Sequence, residues 1–165
     1  MIIYFVRHGE TEWNKKKIIQ GHKNSLLTLK GKKNAESLGK SLEKKKTEVI
    51  YTSDLGRCLQ TAEIINKRLK TKLVKTQKLR ERDFGSLNGK PNKEVEKMLD
   101  LSNLNEKAPE GESFNQLKNR VINFLKLLKK KKLKRVLIVT HEGVLRAIFK
   151  CDTRSDQVYF LDKIK

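Results

Sequence analysis

Val6-Arg7-His8-Gly9-Glu10-Thr11 is where an unbroken apolar run, Met1 to Val6, gives way to charge and to glycine. Apolar residues in a row, without alternation, are what a strand covered on both faces requires. The run therefore reads as the opening strand of a parallel sheet, with Arg7 and His8 side by side at its carboxyl end. In an open α/β sheet, ligands bind in the crevice outside those ends. A second run, Arg135-Val136-Leu137-Ile138-Val139-Thr140, finishes in the same way on His141.

Working outward, apolar β-branched runs alternate with segments of helical period. Strands are expected over 2–6, 48–52, 72–75, 135–140 and 157–161. Thr28 can cap a helix from 29 to about 45, with Ala35, Leu38 and Leu42 on one face. Ser53 can cap the next, with Leu55, Leu59 and Ala62 turned inward. Pro91 suits the first turn of a short helix from 92 to about 101. Ser113 starts a long one, whose stripe is Phe114, Leu117, Val121, Phe124, Leu125 and Leu128. A last helix is expected from 142 to about 149. Such alternation builds βαβ units, so the expected fold is α/β, a three-layer α/β/α sandwich around a mostly parallel sheet. No repeat or linker divides the chain, and one domain over 1–165 is expected. The least regular stretch, 82–112, holds both prolines and is the candidate cap over the strand ends. The strand near 157–161 is a candidate edge, leaving a monomer or a homodimer open.

The 165 residues are 36% hydrophobic and 35% charged, enough for a real core. No apolar run approaches membrane-spanning length, and the amino terminus lacks the pattern of a secretory signal. A cytoplasmic protein without a membrane partner is expected. Cys58 and Cys151 make no disulfide framework and read as small core residues. The formal net charge of +20 suits an anionic partner. Its carriers are mostly lysines in runs such as Lys15 to Lys17 and Lys129 to Lys132, with no aromatics between them. Base readout relies chiefly on Arg, or on Lys with Asn or Gln beside it. Specific nucleic-acid binding is therefore not expected.

The chemistry concentrates on few residues. Arg7 offers a planar fork for phosphate oxygens, His8 an imidazole nitrogen that can attack phosphorus, and Gly9 a close backbone approach. His141 precedes a helix whose first N–H groups would face the crevice as an anion site. Arg57 could add a second fork, although an isolated helix arginine is usually solvated. Glu81, between Arg80 and Arg82, could protonate a leaving oxygen and later take a proton from water. Together these residues suffice for phosphoryl transfer, which needs mainly positioning and charge stabilisation. No metal-ligand spacing and no glycine-rich nucleotide loop is present, and no cofactor is expected. His22 stands alone near Gln20 and Gly21.

With these residues in view, the sequence resembles the histidine phosphatase superfamily in its phosphoglycerate mutase-like branch. Arg7 to Asn14 is similar to the opening signature of that family, and Gly21 to Gly31 to its next block. Ser53 to Ala62 resembles the second arginine motif, Arg80 to Gly85 the acid/base motif. Pro109 to Ser113 and Val139 to Val144 resemble the last two blocks. The six blocks run in order to about Ala147. The resemblance implies His8 as the phosphorylated nucleophile, with Arg7, Arg57 and His141 completing a phosphate pocket to which Asn14 contributes. It implies Glu81 as proton donor and acceptor, Gln20 and Gly21 near the substrate, and no metal. Departures are Asn24 and Ser25 before Leu26, Cys58 in place of a usual alanine, and Glu142 where glycine or glutamine is common. Glu142 is expected to point away from the pocket.

The family holds phosphatases and mutases. Its mutases are longer, with more cap to keep water from the phosphoenzyme, and tend to carry tyrosine where Phe84 stands. The expectation is a phosphomonoesterase acting on small phosphorylated metabolites. The alternatives are a phosphoglycerate mutase-type phosphomutase and a non-catalytic protein that binds anions or nucleic acid. His8 must be neutral, its pKa depressed by neighbouring arginines, and Glu81 must be protonated, so a bell-shaped pH profile that leans toward acid is expected. Lysines such as Lys15, Lys16 and Lys90 near the pocket would favour multiply anionic substrates.

Overall fold

The computed structural model describes residues 1–150 and 153–162. In chain order the elements are β1 (Ile2–Arg7), α1 (Glu12–Lys15), α2 (Leu29–Glu43), β2 (Val49–Ser53), α3 (Gly56–Leu69), β3 (Lys72–Thr76), α4 (Asn92–Met98), α5 (Phe114–Lys129), β4 (Arg135–Thr140), α6 (Glu142–Phe149) and β5 (Val158–Leu161). The strands form one sheet in the order β3-β2-β4-β1-β5. β1, β2, β3 and β4 run parallel, and β5 adds to β1 antiparallel. This is the expected α/β/α sandwich with a mostly parallel sheet.

The topology explains the layers. From β1 the chain moves to β2 and outward to β3, then returns to insert β4 between β2 and β1. Parallel crossovers are right-handed, so reversing direction along the sheet switches the face on which the helices lie. Ala35, Leu38 and Leu42 of α2 and Cys58, Ala62 and Ile65 of α3 pack on Val6, Ile50, Leu137 and Val139. Leu117, Val121 and Leu128 of α5 and Val144 and Leu145 of α6 pack on Ile3, Phe5, Val136 and Ile138 from the other side. Successive residues of one strand serve opposite cores, which is why β1 and β4 read as continuous apolar runs. Among the described residues, no helix is long and apolar enough to cross a membrane.

Two caps differ from expectation. Ser53 ends β2 instead of capping a helix, and Leu55 occupies the N-cap of α3. The short helix after Pro91 stops at Met98, because Leu99 is extended and tucks into a small apolar cluster. That cluster joins Leu87, Val95, Leu99 and Ala108 to Ile19 and Phe84. Thr28 and Ser113 cap α2 and α5 as read, each accepting an N–H from the third helical residue. Cys58 is a fully buried free thiol, whereas Cys151 lies outside the described residues.

Candidate active site

The pairing of β1 with β4 brings the two histidines together. Arg7 is in register with Thr140, and the His8 amide donates to the Thr140 carbonyl at 2.9 Å. The His8 and His141 rings lie edge to face, 5.2 Å between centroids. Both are buried, and His8 lines a cavity of about 860 Å³ together with Arg7, Asn14, Gln20, Gly21, Arg57 and Glu81. Of the eight residues expected in the site, seven line this cavity. The eighth, His141, stands behind His8 with its Nε2 2.9 Å from Ser53 Oγ and 3.3 Å from Cys58 Sγ.

Backbone approach sets the His8 geometry. A Cβ on Gly9 would stand 2.6 Å from the Gly31 carbonyl oxygen, so only glycine lets α2 come this close. The Gly9 amide donates to Thr61 Oγ1, and the Gly9 carbonyl lies 2.8 Å from His8 Nδ1. A carbonyl can only accept, so Nδ1 carries the proton and Nε2 keeps its lone pair. Burial, then Arg57, then Arg7 hold the pKa of His8 well below its usual value. Arginine neighbours act as expected, but burial is the larger cause. Burial, followed by Arg57, does the same for His141.

The two arginines are anchored by their terminal nitrogens. Arg57 is almost wholly buried and donates to the Lys23 carbonyl at 2.7 Å and to the Gly21 carbonyl at 2.8 Å. Arg7 donates to the Thr153 carbonyl at 3.1 Å and pairs with Glu142 Oε2 at 2.8 Å. In both, Nε is buried without a hydrogen-bond partner. Buried polar groups are normally satisfied, so two orphan guanidinium donors in one cavity mark a place for an anion. Glu142 corrects the expectation above: it lines the cavity rather than facing away, drawn in by Arg7.

Glu81 is held at the start of α6. Its Oε1 accepts from the Arg82 amide at 2.8 Å and its Oε2 from the Gly143 amide at 3.2 Å. A Cβ on Gly143 would stand 2.2 Å from Oε1, so a larger residue there would push the Glu81 carboxylate out of this position. At least one N–H of this helix start therefore serves Glu81 and not a ligand. Asn14 spends its side-chain oxygen on Thr11, capping α1, and Gln20 donates to Thr11 Oγ1 at 2.9 Å. Besides Arg7 and Arg57, the basic residues Lys17, Arg82, Arg146 and Lys150 line the cavity, whereas Lys15, Lys16 and Lys90 do not. Lys15 pairs with Glu12, and Lys90 with Glu94.

Two residues brace Glu81 that the sequence reading left aside. His22 Nε2 donates to the Glu81 carbonyl at 3.0 Å, with Nδ1 3.2 Å from Asp83 Oδ2. Arg120 of α5 donates to the carbonyls of Lys78, Arg80 and Glu81 and pairs with Glu112. A lone histidine and a helix arginine carry no local signal of this. The one hint for Arg120 is its place beside the buried Val121.

The neutral histidines link the site to stability. Both rings have pKa values depressed below the unfolded 6.5. Below that pH the unfolded chain takes up protons that the fold refuses, so stability is lost as pH falls and is fully present above it. The expected loss is on the order of 1 kcal/mol per ring per pH unit below the unfolded value. Urea unfolding at mildly acidic and neutral pH checks this. His8→Asn and His141→Asn should each lose less on acidification than the native chain, and equal losses would refute it.

The sheet order, the paired histidines and the two anchored arginines describe an α/β protein with a candidate anion site at its strand ends. A family model, the histidine phosphatase superfamily (branch 1), matches residues 3–156, and the chain belongs to that family. It is 40% identical over 158 residues to a metal-independent phosphoserine phosphatase of Arabidopsis thaliana, with 89% of this chain and 66% of that protein covered. It is 34% identical to phosphoglycerate mutase-like protein 4 of the same plant, with 89% and 69% covered. The fold is shared with the alpha-ribazole phosphatase from Shigella flexneri, at a TM-score of 0.87 and 22% identity, with 98% of this chain and 90% of that one covered. Relatives named as phosphatases and relatives named as phosphoglycerate mutases are thus both similar to this chain.

Proposed function

We propose that this chain is a metal-independent phosphomonoesterase that hydrolyses small phosphorylated metabolites through a phosphohistidine on His8. The observation that carries the reading is the buried His8, its Nδ1 proton fixed on Gly9, beside two guanidinium groups with uncommitted Nε donors. In the proposed first step, His8 Nε2 attacks phosphorus while the bond to the leaving oxygen breaks. A protonated Glu81 gives that oxygen its proton. In the second, Glu81 takes a proton from water, the water oxygen attacks phosphorus, and the nitrogen–phosphorus bond breaks to release phosphate and neutral His8. Arg7 and Arg57 would bind the equatorial oxygens, where charge accumulates. A neutral His141 would offer an N–H rather than a full charge. Asn14, Gln20 and Gly21 would flank the phosphate.

Residues 82–112, with their small apolar cluster, would act as the cap within a single 1–165 domain. The cavity lining also carries Ile18, Ile19, Phe84 and Phe114 as well as Lys17 and Lys150. It supports a leaving group larger than the phosphate, with an apolar face.

The test is hydrolysis of a generic phosphomonoester in the presence of a chelator. Turnover that persists in chelator supports the reading. Interconversion of phosphoglycerates without net hydrolysis would replace it with a mutase, and turnover abolished by the chelator would refute the metal-free mechanism.

A further inference from the structure

Among the described residues, Glu142 is the one carboxylate that forms an ion pair with Arg7 or Arg57. Its Oε2 stands 2.8 Å from a terminal nitrogen of Arg7. Arg57, the equivalent fork, binds only backbone carbonyls with its terminal nitrogens. The two forks therefore differ in kind. Among the described residues no carboxylate forms an ion pair with Arg57, whereas Arg7 is partly neutralised by Glu142 before any ligand arrives. Glu142 sits on the first turn of α6, and its side chain is 38% exposed against 19% for Arg7. It stands at the mouth, with Arg7 further in. Arg146 and Lys150 line the same cavity, but no ion pair joins either to Glu142 among the described residues.

We propose that Glu142 sets phosphate affinity by competing with the phosphate dianion for Arg7, so that the pocket holds inorganic phosphate loosely and releases it after each turnover. The inference rests on the phosphatase reading for its purpose, but not for its measurement. A dianion entering the pocket meets Arg7 already carrying a carboxylate. It must displace that carboxylate or share the guanidinium with it, and either costs affinity. An affinity lost equally to substrate and product raises KM and frees the product site, and it takes nothing specific from the transition state. Neutralising residue 142 should therefore tighten phosphate binding, the reverse of what removing an ordinary pocket residue does.

The experiment is calorimetric titration of the full chain with inorganic phosphate at fixed ionic strength, comparing the native protein with Glu142→Gln and Glu142→Ala. Both variants should bind phosphate more tightly, by about fivefold for a partly exposed pair of this kind. KM for any phosphomonoester that is turned over should fall with it. Unchanged or weaker binding in either folded variant, or no phosphate binding in any of the three, overturns the proposal. Because titration needs no turnover, a chain that hydrolyses nothing yet binds phosphate more tightly without Glu142 loses the proposed function and keeps this one.

Discussion

His8→Ala is expected to lose at least about 10⁴-fold in kcat/KM, more than 5 kcal/mol of barrier lowering, while still binding inorganic phosphate. The size follows from the geometry. Among the described residues, nothing else lining the cavity presents a neutral nitrogen lone pair. The His141 Nε2 is engaged with Ser53, and the Cys58 thiol is held as a thiol by burial, its pKa pushed far up. The arginines remain, so the anion site survives when the nucleophile goes. Binding and chemistry therefore separate in one variant. Acid-labile, alkali-stable phosphate should also appear on the native chain after rapid denaturation during turnover, and none on the variant. A variant that retains a tenth of native activity would remove His8 from the mechanism.

The strands that build this site were legible because their burial on two faces leaves no polar residues in the run. Ile2 to Val6 and Val136 to Val139 show it, and both runs end on the residues that matter. Their adjacency was not legible. It depends on β4 inserting between β2 and β1, a contact between segments more than a hundred residues apart, and no local pattern encodes it. Arg57 was ambiguous for the same reason. Its burial is created by the 21–24 loop, which supplies the carbonyls of Gly21 and Lys23. The Ser53 expectation failed because serine between a strand and a helix satisfies two rules at once. The strand claimed it, and its hydroxyl went to His141. Glu142 was misplaced because a charge on a first helical turn normally faces water; the pull came from Arg7, at the end of β1. His22 and Arg120 act on backbone carbonyls, which every sequence possesses, so the residues they brace could not be named in advance.

Glu81→Gln should cost about 10²- to 10⁴-fold on alkyl phosphates, the usual range for a positioned acid–base group. The loss should nearly vanish in the first step for an aryl phosphate whose phenolate leaves without a proton. The carboxylate accepts from two backbone amides, one on each oxygen, and the amide of glutamine can accept from only one. Some misplacement and some stability are therefore lost whatever the chemistry, about 1 kcal/mol for one unmade bond. The comparison of leaving groups removes that ambiguity, because misplacement slows both substrates alike while loss of a proton donor slows only the one that needs the proton. The second step supplies an independent sign. Water attacking phosphohistidine also needs Glu81 as base, so an aryl phosphate should give a burst of phenolate equal to the enzyme, then slow turnover with phosphorylated His8 accumulating. Equal losses on both substrates without a burst would make Glu81 a structural bridge between the 80–82 loop and α6, and the proton would have to come from elsewhere.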